Sequence, residues 1–273
     1  MILVAAIAFF GLVVLAIVVV FMMSNDSGSK STSTPLPSPP GTGPSPTGTP
    51  DGSAPPPPIA EVPPPSTIPA KPSWARMLIN ERVQEAHDRN RRAVADANRS
   101  GTRYDVVMYG DSITNFISTK YMGEWRTFAS GWKAVPMGIG GTTIEELTWR
   151  LMAGGEKFDK DPKVVIILVG INNLKYPKND PSERMDFFIS WMRAAMPSSK
   201  IVLLGILPCS SVSVSATNRR YEALARKHGI TYSNCGSDID PNNRSLSVDG
   251  THPAPGGYRR LFACLRPLVS RML

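Results

Sequence analysis

A serine hydroxyl attacks an ester or amide near neutral pH only when a positioned base takes its proton, and histidine is the usual base. The chain has three histidines. His87 lies in the charged stretch HDRNRRAVADANR, and His228 follows Lys227 at a predicted helix end, where a cationic ring suits the helix dipole. His252 differs, because it sits in the loop SVDGTHPAPGGY with Asp249 three residues before it. One turn of chain can bring that carboxylate to Nδ1 of the ring, which leaves Nε2 to face a hydroxyl. Ser112 is the hydroxyl that fits, in YDVVMYGDSITNF, where an apolar run stops at Gly110 and Asp111. Taken singly, each stretch is also what turns are made of, since Gly, Asp and Ser are turn formers.

Acyl transfer also needs donors for the oxyanion that develops on the attacked carbonyl. Two stretches offer them. PMGIGGTTIEEL combines a run of glycines with a predicted helix start, a place where free N–H groups suit any anion. It lacks the G-x-G-x-x-G spacing and the G-K-[ST] ending of nucleotide-binding loops. VVIILVGINNLKY ends an apolar run in Gly170, Ile171, Asn172 and Asn173, which supplies side-chain amides.

The elements that must position these groups follow from hydrophobic patterning. Short apolar runs at 104–109, 133–138, 163–169, 200–206 and 230–234 read as strands. They alternate with amphipathic stretches at about 75–99, 142–153, 181–196, 216–228 and 255–272, which read as helices. Thr142 and Thr143 precede Glu145 and Glu146, an acidic first turn, while Pro181 and Pro253 suit helix starts and Gly229 a helix end. This is an α/β pattern, a parallel sheet covered on both faces. In such sheets working residues gather at the carboxyl ends of strands, where Ser112, the glycine loop and Asn172 all fall.

In this order the four stretches resemble the SGNH hydrolases, also called the GDSL esterase/lipase family. The resemblance runs from about Tyr104 to the C-terminus, and GIGGTTIEELTWRL looks especially like the branch of platelet-activating-factor acetylhydrolase catalytic subunits and carbohydrate acetylesterases. It implies a three-layer flavodoxin-like fold with a five-stranded parallel sheet. It implies Ser112 as nucleophile, His252 and Asp249 as its partners, and an oxyanion hole of the Ser112 and Gly141 N–H groups with the Asn172 amide. It implies no cofactor and no metal. Two positions depart from the pattern. Pro136 and Met137 stand where an asparagine often precedes the glycine loop, so its hydrogen bond needs a substitute, and Asn172-Asn173 replaces the common Asn-Asp.

The rest of the chain divides sharply. Residues 1–23 hold no charged side chain and are long enough to cross a bilayer, with neither the basic start nor the small-x-small site of a cleavable signal. An uncleaved signal anchor is the expectation, with secretion if the segment is removed. Residues 24–72 hold sixteen of the chain's 26 prolines, counted from residue 31 on, and read as a disordered, extended linker, whether a bare tether or an O-glycosylated stalk. Residues 73–273 form the hydrolase domain, with 28 Lys and Arg against 19 Asp and Glu. Those charges are scattered and no nucleic-acid motif accompanies them. The stalk and the sequons at Asn25, Asn98 and Asn243 point to a lumenal or extracellular domain on a single-pass anchor.

Cys209, Cys235 and Cys264 contain no C-x-x-C, which argues against zinc or redox motifs. Cys209 and Cys235 each follow a predicted strand and would pair at one sheet edge outside the cytosol, or stay as buried thiols. Cys264 is expected in the core of the last helix. Three functions fit this sequence: a tethered esterase removing acetyl or other short acyl groups from glycans, an O-acyltransferase or lipid esterase of the same fold, and a non-catalytic binding module. The expected partners are a small acyl ester or acylated glycan and the membrane; oligomeric state stays open.

Overall fold

The computed structural model describes residues 81–176 and 179–273. The anchor expected at 1–23 and the linker at 24–72 lie outside them. Among the described residues, no helix is long and apolar enough to cross a membrane.

Five strands, β1 (Val106–Gly110), β2 (Ala134–Gly138), β3 (Val164–Leu168), β4 (Lys200–Leu204) and β5 (Thr231–Ser233), form one parallel sheet in the order β2-β1-β3-β4-β5. Alternate side chains feed two apolar layers, as strand geometry requires. Val107, Tyr109, Val165, Ile167 and Leu203 pack against α1 (Glu81–Ser100), α4 (Ile144–Met152), α6 (Ser182–Ala195) and α7 (Ser215–His228). Val106, Met108, Val164, Ile166 and Val202 pack against α2 (Ser112–Thr119), α3 (Met122–Phe128) and α8 (Pro255–Ser270). A five-residue helix, α5 (Ile171–Lys175), follows β3 directly. The three-layer α/β architecture is the one that the sequence predicts.

Local chemistry fixes the helices at the rim. Thr143 caps α4 in a reciprocal box with Glu146, the Thr143 N–H donating to Glu146 Oε2 at 2.6 Å. α2 packs onto the end of β2 so closely that a Cβ on Gly138 would meet Asn115 N at 2.0 Å, so only glycine fits there. The sequence reading provides no helix between the first two strands. α2 and α3 are there because Asp111 caps α2, accepting from Ile113 N at 2.9 Å, and their apolar faces bury Ile113, Ile117, Trp125 and Phe128.

The cysteines correct two expectations. Cys235 is bonded to Cys264, with Cα atoms 5.6 Å apart, and Cys209 is a free thiol. Cys235 belongs to the layer under α8, whereas Cys209 packs at the margin of the opposite layer, so the sheet itself separates the expected pair. Cys264 is also on the exposed side of α8 rather than in the core, which is how it reaches the sheet edge.

Candidate active site

The strand order reverses between β1 and β3, and their carboxyl ends form the crevice where open α/β sheets hold ligands. Ser112 opens α2 at the end of β1. Its first turn is fixed from the far side by Tyr258 of α8, whose hydroxyl donates to Ile113 O at 2.7 Å. His252 arrives from the last loop, and its Nε2 is 2.8 Å from Ser112 Oγ. Its Nδ1 is 2.7 Å from Asp249 Oδ2, while its backbone N–H donates to Asp249 Oδ1 at 2.9 Å. The loop is closed by Val248 N donating to His252 O at 2.8 Å, so the three-residue spacing becomes a rigid turn. Phe116 stacks on the imidazole with centroids 4.7 Å apart.

Asp249 is held as a carboxylate. Partial burial works against its charge, but the bonds from the His252 N–H, the His252 ring and the Thr251 N–H outweigh it and keep its pKa below the ordinary range. Such a carboxylate fixes the ring tautomer and stabilises an imidazolium, which lets Nε2 accept the Ser112 proton. The neighbouring Asp111 is different. Burial pushes its pKa up to about 7, even with backbone N–H donors and the Arg150 charge opposing. It accepts backbone N–H bonds at the start of α2 and serves as a cap.

Asn172 lies in α5, and its Nδ2 donates to Thr142 O at 2.9 Å. The amide therefore faces the Gly141–Thr142 turn, and its second hydrogen remains for a ligand. Gly141 takes φ +79° at an exposed position where a Cβ would meet nothing within 4 Å, so glycine is required there by conformation and not by crowding. This turn meets the nucleophile strand directly, Ile139 N donating to Gly110 O at 3.3 Å. Ser112, His252 and Asp249 thus form a continuous hydrogen-bonded chain, and Asn172 is drawn onto the turn that carries Gly141.

The remaining histidines have structural partners. His87 Nδ1 meets Glu156 Oε1 at 2.7 Å in the interior, and His228 Nε2 meets Asp186 Oδ1 at 2.5 Å.

Two residues that the sequence did not single out, Arg150 and Glu156, support the site together with Asn173. Arg150 is 1 % exposed, and its guanidinium donates to Gly110 O at 3.0 Å, Met137 O at 2.6 Å and Thr142 Oγ1 at 3.3 Å. It ties the ends of β1 and β2 to the Gly141 turn, the task left open by Pro136 and Met137. Glu156 neutralises it, accepting from Arg150 Nη2 at 2.7 Å. Asn173 accepts from Ile144 N at 3.0 Å and donates to Glu145 Oε2 at 2.8 Å, which pins α5 to the start of α4. A clue to Arg150 was present, because it falls three residues after Leu147 on the apolar stripe of its helix.

The sequence model of the GDSL-like lipase/acylhydrolase family matches residues 108–260. Human platelet-activating factor acetylhydrolase IB subunit alpha2 is 32 % identical over 181 residues, covering 62 % of this chain and 77 % of that protein. Among solved structures, a GDSL-like lipase from Bacteroides thetaiotaomicron shares the fold with a TM-score of 0.55 at 20 % identity, covering 69 % of this chain and 98 % of that one. A protein from Streptococcus pneumoniae described as a putative platelet activating factor gives a TM-score of 0.53 at 19 % identity, covering 72 % of this chain and 98 % of its own.

Proposed function

The chain belongs to the GDSL-like lipase/acylhydrolase family and is an ester-hydrolysing serine hydrolase; we propose that it removes short acyl groups, acetyl above all, from glycans outside the cytosol. The observation that carries the mechanism is the unbroken Ser112–His252–Asp249 chain beside the Asn172–Gly141 turn. His252 Nε2 takes the Ser112 proton as Oγ attacks the ester carbonyl. The oxyanion is received by the Ser112 and Gly141 N–H groups and the Asn172 amide. His252 then protonates the leaving alcohol, and water, activated by the same ring, releases the acyl group from Ser112.

Two observations support the substrate class. The relative of 32 % identity is named as an acetylhydrolase. A cleft of about 260 Å³ beside Asp249 is lined by Ser210, Asn242, Arg244 and Ser247, a polar wall better suited to a hydroxylated alcohol than to a fatty chain. On a panel of acetylated polysaccharides, phospholipids and aryl esters of graded acyl length, acetylated glycans should give the highest kcat/KM. Free acetate should accumulate equally with and without an added sugar acceptor. Acyl transfer to the acceptor would instead make the protein an O-acyltransferase, and preference for phospholipids a lipid esterase.

The location rests on the uncharged run at 1–23 as a signal anchor, the linker at 24–72, and the Cys235–Cys264 disulfide, a bond favoured in oxidising compartments. In intact vesicles the domain should resist added protease until detergent is present. Digestion without detergent would contradict lumenal placement.

A further inference from the structure

Two lysines each contact a neighbour of His252. Lys175, the last residue of α5, donates from Nζ to Thr251 Oγ1 at 2.7 Å, and Thr251 immediately precedes His252. Lys120 Nζ lies 3.9 Å from the centroid of Phe116, the ring that stacks on His252. Surface cations elsewhere divide between carboxylates, as in Lys163 with Asp105 at 2.8 Å and Lys227 with Asp186 at 2.6 Å, and backbone carbonyls, as in Lys160 with Gly101 O at 2.7 Å. Among the described residues, the partners of Lys175 and Lys120 are a hydroxyl and an aromatic face, and neither lysine forms an ion pair. The one carboxylate of the loop, Asp249, is engaged through both oxygens by His252 and Thr251.

An ammonium on a half-buried side chain with no ion-pair partner is a place where an anion gains, because the protein has already removed part of the lysine's water. The residues from 73 onward carry a net +9, which draws anions toward the domain, though that field selects no position on its surface. The bond from Lys175 to the residue that precedes His252 does select one.

We propose that Lys175, assisted by Lys120, forms a subsite for an anionic group, a carboxylate or a phosphate, carried by the substrate close to its scissile ester. The proposal rests on the esterase reading of Ser112 and His252, and it narrows that substrate to acidic alcohols, such as an acetylated sugar acid or an acetylated phosphate ester. Lys175 binds the anion directly and is half-buried, so its loss has the larger effect. Lys120 is exposed, and salt screens its contribution.

The test compares the full-length protein in neutral detergent on three acetyl esters: a neutral hexose, a uronic acid and a glycerol phosphate. Wild type should favour the charged esters by about tenfold or more in kcat/KM at low salt, mainly through KM, as a charge-assisted hydrogen bond implies. The advantage should shrink at high salt, survive in Lys175→Arg, and fall toward one in Lys175→Met with Lys120→Met. Preference for the uronate alone identifies a sugar acid as the source of the anion, and preference for the phosphate alone identifies a phosphorylated alcohol. A wild type with no charge preference overturns the proposal. So does Lys175→Met slowing all three esters alike, because Lys175 would then only hold the Thr251–His252 loop.

A second measurement needs no turnover. Free uronate and glycerol phosphate should bind the Ser112→Ala protein about tenfold more tightly than the protein carrying Ser112→Ala with Lys175→Met. Equal binding removes the subsite whatever the enzyme hydrolyses, whereas an absence of Ser112-dependent hydrolysis of any ester removes the esterase reading instead.

Discussion

Replacing Ser112 by alanine should lower ester hydrolysis by about 10⁴-fold or more while leaving the fold intact, and this is the largest effect on activity that the geometry implies. The loss is large because, among the described residues, Ser112 Oγ is the hydroxyl that meets His252 Nε2, at 2.8 Å. His252→Ala should cost nearly as much, and the double variant little more than either single one, since the pair acts as a unit. Asn172→Ala should be milder, about 10²–10³ in kcat, the usual consequence of losing one oxyanion donor. Ser112 is a half-buried residue at the start of α2, so its thermal midpoint should scarcely move. Steady-state kinetics with an aryl acetate, beside a thermal melt, measures both quantities. A Ser112→Ala protein with full activity would remove the mechanism.

The largest effect on stability should come from Glu156→Leu. Glu156 is fully buried and meets Arg150, His87 Nδ1 at 2.7 Å and Asn90 Nδ2 at 3.1 Å. Burial alone would raise its pKa, but the Arg150 charge and the His87 bond prevail and hold it below the ordinary glutamate range. Its charge is therefore in place at neutral pH, and its contribution is lost only as pH falls through that depressed pKa. Removing the carboxylate strands the Arg150 guanidinium in the interior, which typically costs about 3–5 kcal/mol. Against a total stability of about 5–15 kcal/mol, that loss would be obvious in a urea titration. Arg150 also holds Gly110 O, Met137 O and Thr142 Oγ1, so the surviving folded protein should show a lower kcat. Glu156→Gln keeps the shape and should fall between the two. An unchanged urea midpoint for Glu156→Leu would mean that Arg150 finds another partner.

These two predictions differ in how far the sequence announces them. Ser112, Asn172 and the Gly141 turn each follow an apolar run that ends at a glycine, or lie a few residues beyond one, and in a parallel sheet that position is the ligand rim. Asp249 and His252 are legible because their contact is local: three residues apart, they are closed into one turn by backbone bonds. The five strands are legible for the same reason, being short, apolar and bounded by breakers.

What stays hidden depends on packing between distant segments. Arg150 carries only the clue of its place on an apolar stripe and Glu156 carries none, since nothing in a one-dimensional pattern says that His87, Asn90 and two strand ends will converge on them. α2 and α3 are eight and seven residues long, too short for a clear helical period, and the first begins in a turn-forming Gly-Asp-Ser. The pairing of Cys235 with Cys264 depends on which sheet face α8 covers, a three-dimensional fact that places Cys209 on the other side.

The central claim is that Ser112 is the activated nucleophile, and covalent labelling tests it most directly. A fluorophosphonate transfers its phosphonyl group to an activated serine with loss of fluoride, and the adduct stays in place for peptide mapping by mass spectrometry. One phosphonyl group should appear on Ser112 of the intact protein, and labelling should fall to background in His252→Ala. Labelling at another residue, or none while ester turnover continues, would contradict the account.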